Sequence, residues 1–239
     1  MTELCQSLGH TSVMIEVRAP GDRYLTRAGG RTTWHSFSFG AHYDPENVGF
    51  GPLVALNDEL LPPGTGYDDH PHHDTEIVTW VLSGALRHRD SAGHDEVVGA
   101  GEVQVLSAGS GVWHAEVSAS PAPTRFVQCW LRPDIEGLDP SYATARPGAR
   151  GSLEVVASAA GAGLPIHVRG ASLSVAGLEA GASVSLPAAP RLLVLVATGE
   201  LLVDRRPLPA GAEARLVGQH ALPVTATTPE TQLLVCQLP

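Results

Sequence analysis

Apolar positions along the chain come in short, β-branched runs separated by Gly, Pro, Asp and Ser, and no segment sustains helical periodicity for more than a few turns. The pattern predicts an all-β protein. Glu76 to Leu82 (EIVTWVL) reads as a strand, Ser83-Gly84 as its turn, and Ala85 to Arg89 (ALRHR) as the returning strand, with Asp90-Ser91-Ala92-Gly93 as the next reversal. Further short strands are predicted around Val97, over Val103 to Leu106, over Trp113 to Val117 and over Arg125 to Leu131. Such a meander closes into a barrel or sandwich because closure removes unpaired strand edges.

The second half repeats this logic. Arg191 to Ala197 (RLLVLVA), a Thr198-Gly199 turn, Glu200 to Asp204 (ELLVD) and the LPAGA turn of Leu208 to Ala212 echo the strand before Ser83-Gly84 and the later GAGE turn of Gly99 to Glu102. Two copies of one barrel are therefore expected. Between them, Pro133 to Gly163 is rich in Pro, Gly, Ala and Asp and reads as a linker with SLEVVAS (Ser152 to Ser158) embedded. This predicts domains at 1–139 and 140–239, in line with a length of 239 residues. Nine of the 11 histidines fall between His10 and His114, so a histidine-based site belongs to the first copy and none is expected in the second.

Charge and cysteine usage narrow the function classes. With 25 acidic against 15 basic residues, all of the latter Arg, the formal charge of -10 repels phosphate backbones and anionic membranes, so no direct nucleic-acid or membrane partner is expected. Cys5, Cys129 and Cys236 are odd in number and widely spaced, which suggests neither a disulfide framework nor a zinc finger and fits a reducing cytoplasmic setting. The first twenty residues lack a basic segment followed by an apolar one, and nowhere do 18 apolar residues run together. A soluble, unexported, cytoplasmic protein is the expectation.

The candidate chemistry lies in two segments. GTGYDDHPHHDTE (Gly64 to Glu76) sets His70 and His72 two residues apart, and on a strand such residues point to one face. GVWHAEV (Gly111 to Val117) does the same with His114 and Glu116. An H-x-H alone is a common accident, and HPHH also reads as a solvated loop. Two matched pairs in a Gly-rich meander are a better ground for a metal site. Three nitrogens and a carboxylate oxygen suit Fe(II), and also Mn, Co, Ni, Cu or Zn. Glu76 shares the parity of His70 and His72 if Pro71 leaves the register intact. An outer, ion-pairing role is favoured for it over direct ligation.

These motifs, HPHxxxE and H-x-E, resemble those of a cupin, and the surrounding stretches are similar to pirin and the pirin-like quercetinases. The stretches are WHSFSFGAHYDP (Trp34 to Pro45), GFGPLVALNDELLPPGTGY (Gly49 to Tyr67), HRDSAG (His88 to Gly93), GEVQVLSAGSGVWHAE (Gly101 to Glu116) and QCWLRP (Gln128 to Pro133). The chain departs from that wording at Leu53 to Leu56, which lacks an Arg, and at His94, where Asn is frequent. Ser107-Ala108-Gly109 also stands where the general cupin motif carries Pro.

The resemblance implies a bicupin of two jelly-roll domains, with His70, His72, His114 and Glu116 as ligands of one metal, usually iron, in the first. It implies either a dioxygenase that cleaves flavonols such as quercetin with O2, or a non-catalytic redox-responsive regulator that acts through a protein partner. The first is the leading expectation, with Glu116 as the base that takes the substrate's hydroxyl proton. An open apolar cavity of at least a few hundred Å3 beside the metal favours the enzyme. Among the other residues, His88 faces either the cavity or the outside. His73 and His94 read as solvated loop residues, and His35 and His42 as part of a packed N-terminal strand. Trp80 and Trp113 belong to the core or to an aromatic-stacking pocket, and Cys129 is a buried, inert thiol.

Overall fold

A computed structural model describes residues 14–148, 150–219 and 221–239. The expectations attached to Cys5, His10 and His220 lie outside the described residues. The chain is all-β, and among the described residues no helix is long and apolar enough to cross a membrane.

Two compact units interleave along the chain instead of meeting at residue 140. The first, which we call the histidine unit, holds residues 21–148 and 154–172. The second, the aliphatic unit, holds among the described residues 14–20, 150–153 and those from Leu173 onward. Backbone pairing accounts for part of the exchange. β1 (Met14–Arg18) adds five antiparallel pairs to β20 (Glu213–Gln219), which joins the N-terminal segment to the aliphatic unit. Conversely, β13 (Glu154–Ser158), which lies in the run read from sequence as linker, and the short β14 (Leu164–Pro165) belong to the histidine unit.

The histidine unit packs two sheets face to face. The larger has the order β12-β9-β6-β11-β4-β3-β2 and the smaller β5-β10-β7-β8. Their ranges are β2 (Tyr24–Ala28), β3 (Arg31–His35), β4 (Leu53–Leu61), β5 (Gly66–His72), β6 (Glu76–Ser83), β7 (Ala85–Asp90), β8 (Asp95–Gly99), β9 (Val103–Ser107), β10 (Val112–Ser118), β11 (Thr124–Leu131) and β12 (Ser141–Ala145). Leu61, Val81 and Phe126 from the large sheet meet Leu86 and Val98 from the small one, all at 1 % exposure or less. At the other end, Ile77 and Leu106 meet Ala108 and Val112, with Trp130 and Tyr142 beside them. The stretch between these clusters is polar, and it holds the histidines.

The aliphatic unit repeats the plan. Its sheets run β1-β20-β17-β22-β15 and β16-β21-β18-β19, with β15 (Ser172–Leu178), β16 (Ser183–Leu186), β17 (Ala189–Thr198), β18 (Glu200–Val203), β19 (Arg206–Pro209), β21 (Leu222–Ala226) and β22 (Thr231–Leu238). The order β9-β6-β11-β4 of the first unit recurs as β20-β17-β22-β15, and β5-β10-β7-β8 recurs as β16-β21-β18-β19. The two glycine turns predicted from sequence are the same device in both. Gly84 and Gly199 sit at φ 74 and 73, and a Cβ on either would collide with Thr124 or Thr231, the first residues of β11 and β22.

Candidate metal centre

β10 is the middle strand of the site, flanked by β5 on one side and β7 on the other. Register sets His114 opposite His70 on β5 and Glu116 opposite His88 on β7. A register shift between His114 and Glu116 gives β5 an extra residue there, so that Glu116 faces Tyr67. Pro71 does not disturb the face shared by His70 and His72, because it pairs outward with Trp113. The bulge also frees the Asp68 carbonyl, which accepts the His70 Nδ1–H at 2.7 Å and leaves Nε2 as the lone-pair nitrogen of that ring.

The donor atoms form two overlapping groups that share His114, namely His70 with His72 and His114, and His88 with His114 and Glu116. Within each group all ligand atoms lie within 4.8 Å of one another. The imidazole centroids of His70, His72 and His114 are 4.4 to 5.0 Å apart. His72 Nε2 and both ring nitrogens of His114 are buried without a hydrogen-bond partner. Left in that condition each costs on the order of 1–3 kcal/mol, a penalty that coordination of a cation removes. Burial, and after it the neighbouring imidazoles His114 and His70, lower the His72 pKa to about 4. Burial, then His70 and His88, lower that of His114 to about 3. Both rings are thus neutral at pH 7, the form a metal requires.

Glu116, 2 % exposed, is fixed by two amides that sequence reasoning did not single out. Gln104 Nε2–H donates to its Oε1 at 2.6 Å and Gln128 Nε2–H to its Oε2 at 2.8 Å. Each amide is itself oriented from behind. Tyr142 Oη–H donates to Gln104 Oε1 at 3.0 Å, and Trp130 Nε1–H to Gln128 Oε1 at 2.8 Å. Burial raises the Tyr142 pKa far above its ordinary value, so its hydroxyl remains a donor. The available signal was a lone Gln in each of two apolar strands, VQV and FVQCW.

His88 is fully buried and faces the interior, with Nε2 3.1 Å from Asp90 Oδ2, its ring stacked on Tyr142 at 4.2 Å and Nδ1 without a partner. His94 is not a free loop residue, because its Nδ1 lies 2.9 Å from the same Asp90 oxygen. Burial alone would raise the Asp90 pKa, but hydrogen bonds from His88 and His94 outweigh it and the net direction is down. His73 is solvated, with a side chain 81 % exposed. His35 is packed, bonded to Asn57 and Thr26 and stacked on Phe39.

Glu76 stands apart from both donor groups. Its Oε1 accepts from Ser107 Oγ at 2.8 Å and meets His167 Nδ1 at 3.1 Å, a polar contact across 91 residues. Trp80 is core, whereas Trp113 is 55 % exposed and belongs to neither core nor pocket. Cys129 is buried.

A cavity of about 190 Å3 adjoins the cluster, lined by Arg31, Thr33, His35, Phe39 and Tyr67 among others. It is smaller than the few hundred Å3 that would by itself favour the enzyme over the regulator. Its walls lead to the histidines, since Tyr67 lies 6.1 Å from His70, and Phe39 packs on Trp130, which packs on His72. A second cavity of about 270 Å3 is lined by Arg87, Arg89, Ala115 and Val117, which alternate with His88, His114 and Glu116 and so open on the opposite face of the small sheet.

Comparison with known proteins agrees with this architecture. The family model described as Pirin matches residues 19–131. A protein of Mycobacterium tuberculosis (strain ATCC 25618 / H37Rv), named "Putative quercetin 2,3-dioxygenase Rv0181c", is 42% identical over 228 residues, covering 92% of this chain and 93% of its own. The quercetin 2,3-dioxygenase of Escherichia coli (strain K12) is 41% identical over 130 residues, 54% of this chain and 56% of its own. Among solved structures, the bacterial pirin YhhW of Escherichia coli in complex with nickel(II) superposes with a TM-score of 0.87 at 31% identity, over 95% of this chain and 99% of that one.

Proposed function

The chain belongs to the pirin family, and from that premise we propose that it is a metal-dependent dioxygenase that opens flavonols of the quercetin type with O2. Convergence of His70, His72 and His114 carries the proposal, since His72 Nε2 and both ring nitrogens of His114 are buried without protein partners beside a carboxyl group held by two amides. These three imidazoles and Glu116 would hold one divalent transition metal, with Fe(II) the first choice and Mn, Co, Ni, Cu or Zn also compatible with the donor set. When bound, the metal supplies Lewis acidity and a meeting point for the substrate's oxygens and O2. The names of the relatives and the nickel carried by the Escherichia coli pirin support the reading.

The protein's own groups would act in order. The Phe39 and Tyr67 side chains admit an aromatic molecule to the half-buried edge of the cluster at His70 and His72. Glu116 takes the proton of the flavonol hydroxyl, using a lone pair that its amide contacts leave free. Gln104 and Gln128 hold the carboxyl group in place through the transfer, and Tyr142 and Trp130 keep each amide from flipping. Burial of His88, His114 and Glu116 excludes bulk water from that side.

Oxygen uptake by anaerobically Fe(II)-loaded protein, started with quercetin and normalised to bound iron, tests the proposal. Stoichiometric uptake is expected, with Glu116→Gln retaining part of the metal and losing most of the turnover per iron. Absence of uptake with quercetin and every other flavonol tried would overturn it.

A further inference from the structure

We propose that the cavity between Phe39 and Tyr67 is the specificity pocket of this site, seating one hydroxylated aromatic ring whose phenolic O–H donates to the oxygens of Thr33 and Tyr67. The inference rests on the aromatic-substrate reading above and assigns residues that it leaves open.

Size sets the first constraint. About 190 Å3 is below the roughly 300 Å3 at which whole drug-sized ligands are enclosed. The space therefore suits a single substituted phenyl ring and not a three-ring flavonol. The rest of such a molecule must extend along the walls, toward His70 past Tyr67 or toward His72 past Phe39 and Trp130.

Hydrogen-bond direction sets the second. Glu59, 3 % exposed on β4, takes both wall hydroxyls on one oxygen, with Thr33 Oγ1–H donating to Oε2 at 2.6 Å and Tyr67 Oη–H at 2.9 Å. The protons of Thr33 and Tyr67 are thus committed to Glu59, and what the two oxygens offer the cavity is acceptor lone pairs. Burial raises the Glu59 pKa to about 7 against the pull of the two hydroxyls, with Glu116 and Asp58 adding to the rise. A proton on the other carboxyl oxygen leaves Oε2 an acceptor, so the polarity of the wall is the same in either state. An O–H group on the ligand is recognised, and a bare ring leaves the buried Thr33 oxygen and the half-buried Tyr67 oxygen without a donor.

Charge sets the third. Arg31 covers the Tyr67 ring, its guanidinium carbon 4.1 Å from the centroid, and also bonds the Gly66 carbonyl. It lines the cavity with the positive edge of a group that favours electron-rich oxygens. Acceptors on one wall and a cation on another fit a ring with adjacent hydroxyls, one donating and one accepting.

Equilibrium binding to metal-free protein tests the assignment without any turnover. The probes are quercetin, with two hydroxyls on its pendant ring, and galangin, whose pendant ring is bare. Wild type should bind quercetin about five- to tenfold more tightly, the worth of about one added hydrogen bond. Thr33→Val should remove most of that preference by weakening quercetin alone. Phe39→Leu, which keeps the polar wall, should weaken both ligands about equally. Circular dichroism of each variant separates a folding failure from a binding effect. Equal affinity of wild type for the two flavonols, or equal weakening of both by Thr33→Val in a folded protein, would overturn the pocket. If the preference is present but iron-loaded protein consumes no O2, the dioxygenase reading fails and the pocket stands.

Discussion

Counted from Gly84 in one unit and Gly199 in the other, equivalent strands present opposite chemistries to their interiors. His70, His114, Glu116 and His88 of the histidine unit correspond by strand order and register to Leu186, Leu222, Val224 and Val203 of the aliphatic unit. Thr79, Gln104 and Gln128 correspond likewise to Val194, Ala214 and Val235. Every counterpart belongs to the aliphatic core or packs against it. An apolar filling suffices for the plan, so the buried imidazoles, carboxyl group and amides of the first unit are retained against stability and in favour of a site.

Breaking the comparison from the aliphatic side should cost the most. Val224→Glu places a carboxyl group where Glu116 stands, but with Ala214 and Val235 in place of the two amides. Chemical denaturation should show a loss of about 3–5 kcal/mol, the scale of an uncompensated buried charge, and metal titration no gain of a site. A variant as stable as wild type would show that the second interior is not closed to charge.

Glu59 is the next largest effect. Its folded pKa, raised to about 7 from 4.5, means that the native state binds more protons than the unfolded chain between those values. Stability of metal-free protein therefore falls as pH rises through that window and is flat above it, by on the order of 3 kcal/mol for this one group. Glu59→Gln should flatten the profile between pH 4.5 and 7. An unchanged slope would contradict the account of its environment.

His114→Leu gives β10 the residue of its counterpart, Leu222. Metal retention should be lost, yet the metal-free protein should unfold at equal or higher denaturant, by up to about 1–3 kcal/mol, because a buried ring with two unpartnered nitrogens is replaced by an aliphatic group. A clear destabilisation would mean that His114 is held by contacts within the protein. Smaller still is Gln104→Leu, which leaves one Glu116 oxygen without its amide and should cost about tenfold in metal affinity with the fold intact. A null effect on affinity would place the cradle outside metal binding.

The sequence made the strands and the two donor pairs legible because both depend on local spacing. A period of two puts His70 with His72, and His114 with Glu116, on one face whatever the rest of the chain does. What it concealed depends on distant partners. Glu76 has the parity of a ligand and is drawn away by Ser107 and His167. Gln104 and Gln128 look like isolated polar residues until β9 and β11 flank β6 and aim both amides at β10. The Pro- and Gly-rich run from Pro133 to Gly163 resembles a linker although β12 and β13 lie within it. His94 reads as solvated because its partner Asp90 lies across a turn.

Crystals soaked in nickel and measured above and below the nickel absorption edge should place the metal in the histidine unit. One strong anomalous peak per chain is expected, within bonding distance of His70, His72 and His114, with a Glu116 oxygen completing the protein ligands. A peak elsewhere, a second equally strong peak in the aliphatic unit, or none at these histidines would refute a single metal position there.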